Sequence, residues 1–560
     1  MLKKKYLKIA VSILTAAMLF ASMAACGQKD TAKSSPSPSA DSSKGEDSSS
    51  QQQGQSDVKI REPYEFTFYA NYDWFDASPQ WGQDKVSAEL QKKFNITMKL
   101  AKPEGDPSQK LNIMVASDDL PDSIMMDRNS DYIRLIELDK LVALDEYIAK
   151  YPNYKQAIMP TTMNLSKVNG KVYGILNWAN TDNPKARAGN RGYVINKKIY
   201  ETLGSPKLES TEDLYNYLKA VKQSNIKVDG KDVVPLQSDS GIALTNMVFG
   251  SFNGVMSNKY VLPINGELKF YFTSPKFEEA MLFVNKLWNE GLINKDAFIE
   301  KTEQVVEKLA NGRVAVFAGM DITTYIANQS LAKLREKDPG NDYVVINPIA
   351  GPGLTHADVK HNTYQTLGWN VICITNKAKQ PERIFELFDY MISNEGQTLL
   401  VYGPKGVLYD ELDQDGFPIL KKSDSELTDA ERNSLGIWKW VAPGNSTFVN
   451  LAKYAANARL PKEKRDWTAE MQANVMSLHN VNTDEFMNLM ADPNSPEGIS
   501  EKAMDDFIKK AIPKIVMSKN ADQCKQNIKE AIDEAYKLGF DKVEKLYTSI
   551  WKENLKKMGK

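Results

Sequence analysis

Hydrophobic and polar positions alternate along Tyr64-Glu65-Phe66-Thr67-Phe68-Tyr69, the period of two that a strand with one buried face shows. The period then changes: Val86, Leu90 and Phe94 recur every four residues and predict a helix. Ile96-Thr97-Met98-Lys99-Leu100 returns to a strand pattern, so the segment reads as a βαβ unit. Leu111, Met114 and Val115 belong to a second helix, which breaks at Ser117-Asp118-Asp119-Leu120-Pro121-Asp122 before an apolar strand over 123–126. After the first strand, Asn71, Tyr72, Asp73, Trp74, Phe75 and Asp76 place rings and carboxylates at a strand's C-terminal end, where open α/β sheets bind ligands.

The same alternation of periods continues. Ser210 and Asp213 begin a capped helix whose buried stripe is Leu214, Leu218 and Val221. Ser274 as cap, Pro275 at the first helical position, Phe277, Met281, Val284 and Trp288 on one face and Gly291 at the end predict a second. A buried strand over 311–317 leaves Gly319-Met320-Asp321 at its exit as another candidate rim. A strand pattern at 367–374 makes Cys373 a buried strand residue, and Pro381 opens the helix that follows.

Ahead of this body, Lys3, Lys4, Lys5 and Lys8 precede an apolar run over 9–20, the basic and hydrophobic parts of an export signal. Met23-Ala24-Ala25-Cys26 closes it and resembles the bacterial lipoprotein signal, with methionine where leucine is usual. The resemblance implies that residues 1–25 are removed, that Cys26 carries diacylglycerol with palmitate-type chains, and that the protein is held on the outer face of the cell membrane. Two acyl chains suffice for stable anchoring. Residues 27–57 contain no large apolar side chain, so a disordered linker with an end-to-end distance of roughly 30 Å is expected.

Composition narrows the function. Removing the four leader lysines from the 71 Lys and Arg residues leaves 67 against 72 Asp and Glu. These are interleaved, unlike the one-sided basic excess of a nucleic-acid binder, so no nucleic-acid partner is expected. Cys373 and Cys524 are the cysteines left beside Cys26, too few for a disulfide framework or a Cys-x-x-Cys site. No run after the signal reaches spanning length.

The order strand, helix, strand and then Ala116-Ser117-Asp118-Asp119-Leu120-Pro121-Asp122 resembles the first lobe of the extracellular solute-binding proteins of ABC importers, sugar-binding branch, with Asp118 where glycine is common. The segment 138–148, Asn169-Gly170-Lys171-Val172-Tyr173-Gly174-Ile175 at the crossing to a second lobe, the strand 191–198 and the return strand 367–374 extend the resemblance over nearly the whole chain after the linker. It implies an α/β, two-lobed periplasmic-binding-protein-like fold of type II, each lobe a sheet flanked by helices and joined by a hinge. The expected division is 1–25 signal, 26–57 lipidated cysteine and linker, 58–178 with 370–400 as first lobe, and 179–369 with 401–560 as second. A third crossing is expected at Tyr402-Gly403-Pro404-Lys405-Gly406. Lobes that close on a hinge trap ligands at their interface. The implied role is capture of a carbohydrate, an oligosaccharide, by a monomer that delivers it to permease subunits and their ATPase.

No H-E-x-x-H, G-x-S-x-G or P-loop motif is present, so enzymatic activity is not expected. His356, His361 and His479 are scattered, read as surface or loop residues, and offer no zinc site. Glu411-x-Asp413-x-Asp415-Gly416 imitates an EF-hand start, but Lys422 stands where a bidentate glutamate belongs; a polar turn is expected, no cofactor, and a structural calcium remains open through the resemblance. Sugar binding asks for flat rings and hydroxyl partners. Trp74, Trp178, Trp369, Trp438 and Trp440 lie in loops or crossings, each equally able to line a pocket or fill a junction, whereas Trp288, Trp467 and Trp551 follow helical patterns. Asp76, Asn180, Arg191, Asp321 and Asn370 are the polar candidates. Arg191 also keeps open an oligopeptide-binding lipoprotein, and a surface-anchored carbohydrate-active enzyme is the alternative of another class.

Overall fold

β1 (Tyr64–Ala70) runs parallel to β2 (Ile96–Ala101) and β3 (Ser123–Asp127), with Phe66 opposite Met98 and Tyr69 opposite Ile124. These strands come from a computed structural model that describes residues 61–422, 426–492 and 494–560; the expected export signal, Cys26 and the polar tract 27–57 lie outside the described residues. The helix Lys85–Phe94 between β1 and β2 starts where Asp84 accepts the Ser87 N–H at 2.8 Å, and it buries Val86, Leu90 and Phe94. Its apolar face covers the sheet as the four-residue spacing predicts.

β4 (Ile175–Asn177) ends the first passage through this sheet, and the chain crosses to a second one. There β5 (Gly192–Asn196), β6 (Val234–Ser238), β7 (Val314–Gly319) and β8 (Tyr343–Ile346) pair in the order β8-β5-β7-β6, with β5 antiparallel to both neighbours. The chain then passes through β9 (Asn362–Tyr364) and returns as β10 (Asn370–Ile374), antiparallel between β3 and β4. Near the end, β11 (Asn480–Asn482) pairs with β9.

Each sheet has its own apolar core. Phe66, Phe68, Ile372, Cys373, Phe385 and Phe388 belong to the first. On β5, Tyr193 and Ile195 enter the second core while Val194 enters a smaller one on the opposite face, as the two-residue period of a strand requires. Ser210 and Asp213 form the reciprocal capping box, and Ser274 and Pro275 start the helix Pro275–Asn289. Trp288 packs near Phe298, half-buried against the second core, on the face its spacing predicts.

One segment departs from the expected division, in which 401–560 belongs to the second lobe. Leu408, Tyr409, Leu435, Trp440 and Phe448 are buried in the first core. Tyr402-Gly403-Pro404-Lys405-Gly406 is a turn into the hairpin Tyr409–Leu412 and Pro418–Leu420, where the Gly406 N–H donates to the Tyr409 carbonyl at 2.8 Å. The chain leaves the first core between Ala452 and Trp467, whose indole N–H reaches the Tyr343 carbonyl on β8, and touches it again at Met487. The histidine expectation also changes: His361 and His479 are buried, and burial lowers their pKa values to about 3 and about 4.

Candidate functional site

The C-terminal end of β1 delivers Tyr72 into the interior, where its hydroxyl donates to Asp127 at 2.7 Å and accepts from the Asn370 amide at 3.2 Å. Burial, reinforced by the Asp127 carboxylate, pushes the phenol far above its ordinary pKa, so Tyr72 stays a neutral donor. Trp74 and Trp369 pack on its ring with centroids 5.0 and 5.4 Å away, and they lie 6.2 Å from each other. Both are open to solvent, at 65 % and 45 % exposure. A polar network below thus fixes an aromatic surface above, and an exposed cluster of large rings marks a binding face.

That surface is one wall of a hollow of about 220 Å³ that Trp178, Trp438 and Trp440 also line. The five loop tryptophans therefore converge, but they do not have one role. Trp440 is 2 % exposed, donates its indole N–H to Asp84 at 2.9 Å and meets Trp81 edge-on at 5.0 Å. It is a packed wall, which corrects its reading as a platform ring. Trp178 and Trp438 hold left-handed backbone, φ 59° and 64°, uncommon for bulky residues and maintained only where surrounding contacts over-determine it. For Trp178 those contacts are its N–H to the Gly444 carbonyl and its own carbonyl receiving the Ser446 hydroxyl, each 2.8 Å. A side chain at Gly444 would strike the indole.

The polar candidates are dispersed. Asp76 is exposed and accepts the Ser78 N–H, a local turn outside the hollow. Asn180 donates to the Thr366 carbonyl from its backbone and to the Gln365 carbonyl from its amide, which fastens the two crossing segments together. Asn370 is fully buried beneath Tyr72. Arg191 stands in the second lobe with its guanidinium against the Met256 sulfur at 3.8 Å, and burial lowers its pKa. These four are therefore supports or distant from the rings, not part of the aromatic hollow. Asp321, at the exit of β7, accepts from the Asn190 amide at 2.6 Å and donates its N–H to Asp239 at 3.1 Å. Asp239, which sequence reasoning missed, follows β6 at the same rim. Burial lifts its carboxyl to about 6, and its Oδ1 has no partner among the described residues.

A second chamber of about 380 Å³ opens beyond Trp438, between Tyr402 and Leu408 on one side and Thr323 and Asn328 of the second lobe on the other. A roomier hollow, about 810 Å³, is lined by Asn153, Asn183, Asn394 and neighbours of the first lobe and first crossing, with no contribution from the second sheet. Of the two chambers that meet at Trp438, the larger takes lining from both lobes, Thr323 and Asn328 among it, while the aromatic hollow is built by the first lobe and the crossing segments. The calcium question turns on Asp413, whose carboxylate accepts the Asp415 and Phe417 N–H groups and pairs with Arg459. A guanidinium occupies the place a cation would take. No cluster of three metal-ligating side chains exists among the described residues.

Residues 77–398 match the family described as bacterial extracellular solute-binding protein. Lipoprotein LipO of Bacillus subtilis is 27 % identical over 364 residues, 62 % of this chain and 68 % of that protein. The polygalacturonan/rhamnogalacturonan-binding protein YtcQ of the same organism is 24 % identical over 345 residues, 59 % of this chain and 64 % of that one. The structure of the Streptococcus pneumoniae ABC-transporter substrate-binding protein FusA with kestose matches at a TM-score of 0.61 and 19 % identity, covering 87 % of this chain and 99 % of that one. At that identity the likeness speaks for the fold: two lobes, each a sheet flanked by helices. The chain belongs to the bacterial extracellular solute-binding protein family.

Proposed function

We propose that this protein is the extracellular solute-binding component of an ABC importer, capturing an oligosaccharide between its lobes and handing it to permease subunits driven by their ATPase. The observation that carries the reading is the pair of solvent-facing indoles on Tyr72, Trp74 and Trp369, tilted 38° to each other, each of which offers a ring face to the C–H side of a pyranose. The names of YtcQ and FusA support a carbohydrate. The first lobe is 58–178 with 370–400, to which the packing of 401–452 adds that segment; the second is 179–369 with the remainder. The protein works as a monomer with no chemical step of its own. A peptide ligand is disfavoured because Arg191, its expected carboxylate anchor, lies away from the aromatic hollow.

Titration with a panel of oligosaccharides tests this, read by calorimetry and by the rise in melting temperature that ligand binding to the folded state produces. With the sugar that binds, Trp74→Ala and Trp369→Ala each lose about 1 kcal/mol of affinity, roughly five-fold, by analogy with aromatic pairs. Their ligand-free melting temperatures stay at the parent value, since both rings are exposed. Variants that unfold early yet bind normally once folded would show these rings to be core.

The membrane tether is the second part of the proposal: Cys26 bears the lipid, and 27–57 spaces the body from the surface. Cys26→Ala is expected to release the protein into the medium or to leave its signal uncleaved. Continued membrane retention of a correctly shortened chain would sink the lipid assignment.

A further inference from the structure

The chamber beyond Trp438 has a chemistry of its own. Trp438 lines both hollows, so a ligand long enough to cover the aromatic surface continues past it. Lys453, on the helix Ser446–Ala458, lines this second chamber. Its ammonium donates to the Gln472 amide oxygen at 3.3 Å, an uncharged acceptor, and makes no ion pair among the described residues. The other charges in the chamber are engaged. Lys422 pairs with Glu431 at 2.8 Å and Lys464 with Glu426 at 3.3 Å. Asp466 is the N-cap of the helix Trp467–Asn474, accepting the Ala469 N–H at 2.7 Å. Burial lowers the Lys453 pKa, with Asp466 opposing it from a distance.

Lys453 is half-buried, and an ammonium that gives up part of its water usually gains a carboxylate in return, because desolvation opposes the charge. Here the hole in the pairing faces a cleft rather than a core. Resting on the reading of this cleft as a carbohydrate site, we propose that the captured oligosaccharide is acidic, and that a uronate carboxylate enters the chamber beyond Trp438 and pairs with Lys453. The rings of the first hollow take the neutral face of the sugar chain, and Lys453 reads the charge one step along it. The wall opposite, Thr323 and Asn328, supplies hydroxyl and amide partners from the second lobe, so the anionic end would be gripped from both sides.

The probes are uronate trisaccharides, their methyl esters, neutral trisaccharides and a sulfated trisaccharide, titrated at pH 7 into the mature protein. A uronate is expected to bind on the order of ten-fold tighter than its own methyl ester, the size of a modest buried charge pair. Lys453→Met keeps the apolar stem and should erase that preference, bringing acid and ester to equal affinity. Lys453→Arg keeps the charge and should retain the preference, which separates loss of charge from loss of fold. Equal binding of acid and ester, an unchanged preference in Lys453→Met, or a stronger preference for the sulfated sugar overturns the proposal. Binding of neutral sugars alone overturns it while the carbohydrate reading stands; binding of none overturns both.

Discussion

Trp440→Ala is expected to cost about 3–5 kcal/mol, the range for truncating a buried aromatic ring, although the residue lines the same hollow as the exposed Trp74. The two indoles differ in what they touch. Trp440 loses its edge contact with Trp81 and strands the Asp84 carboxylate oxygen that accepts its N–H. Asp84 also caps the helix Lys85–Phe94, so the loss spreads into the first core. Urea denaturation followed by tryptophan fluorescence should show the first transition moving to lower denaturant. A midpoint at the parent value together with weakened sugar binding would return Trp440 to the platform.

This division of roles marks how far the sequence could be read. Period carried the elements well: the alternation at 64–69, the four-residue stripe of Val86, Leu90 and Phe94, and the caps Ser210 and Ser274 all specify local structure by local chemistry. The site was legible in part, because Trp74 and Trp369 stand at strand ends where sheets expose their ligands. What separates Trp440 from them is a hydrogen bond to a residue 356 positions away, which no local pattern encodes. Asp239 was hidden because Pro235 interrupts the apolar run of β6, and proline argues against a strand interior. Lys453 reads in sequence as an ordinary polar position of an amphipathic helix; only the approach of Thr323 and Asn328 across the chamber encloses it. The segment 401–452 was misplaced for a similar reason, since Gly403-Pro404 marks a turn without saying on which lobe the chain continues.

The hinge yields the other large effect. Gly368→Ala is expected to destabilise the protein by on the order of 3 kcal/mol and to weaken sugar binding at least about ten-fold, combining left-handed strain with overpacking. Gly368 has φ +66°, and a methyl group there would lie 2.0 Å from the Asn177 carbonyl oxygen and 2.8 Å from the Trp178 carbonyl carbon. The return segment has no freedom to retreat. Arg128, half-buried, donates to the Leu367 and Gly368 carbonyls at 2.6 and 2.9 Å. One residue earlier, Thr366 gives its N–H and hydroxyl to the two oxygens of Asp484 at 2.8 and 2.6 Å. The outgoing segment must therefore move instead, and it carries Trp178 away from Trp369. Stability and affinity should fall together in this variant, whereas Trp74→Ala loses affinity alone. Denaturation and calorimetry on the same preparation distinguish the two patterns, and a Gly368→Ala protein within about 0.5 kcal/mol of the parent, the ordinary scatter of surface substitutions, would mean that the two crossings are not in the close contact from which this effect is argued.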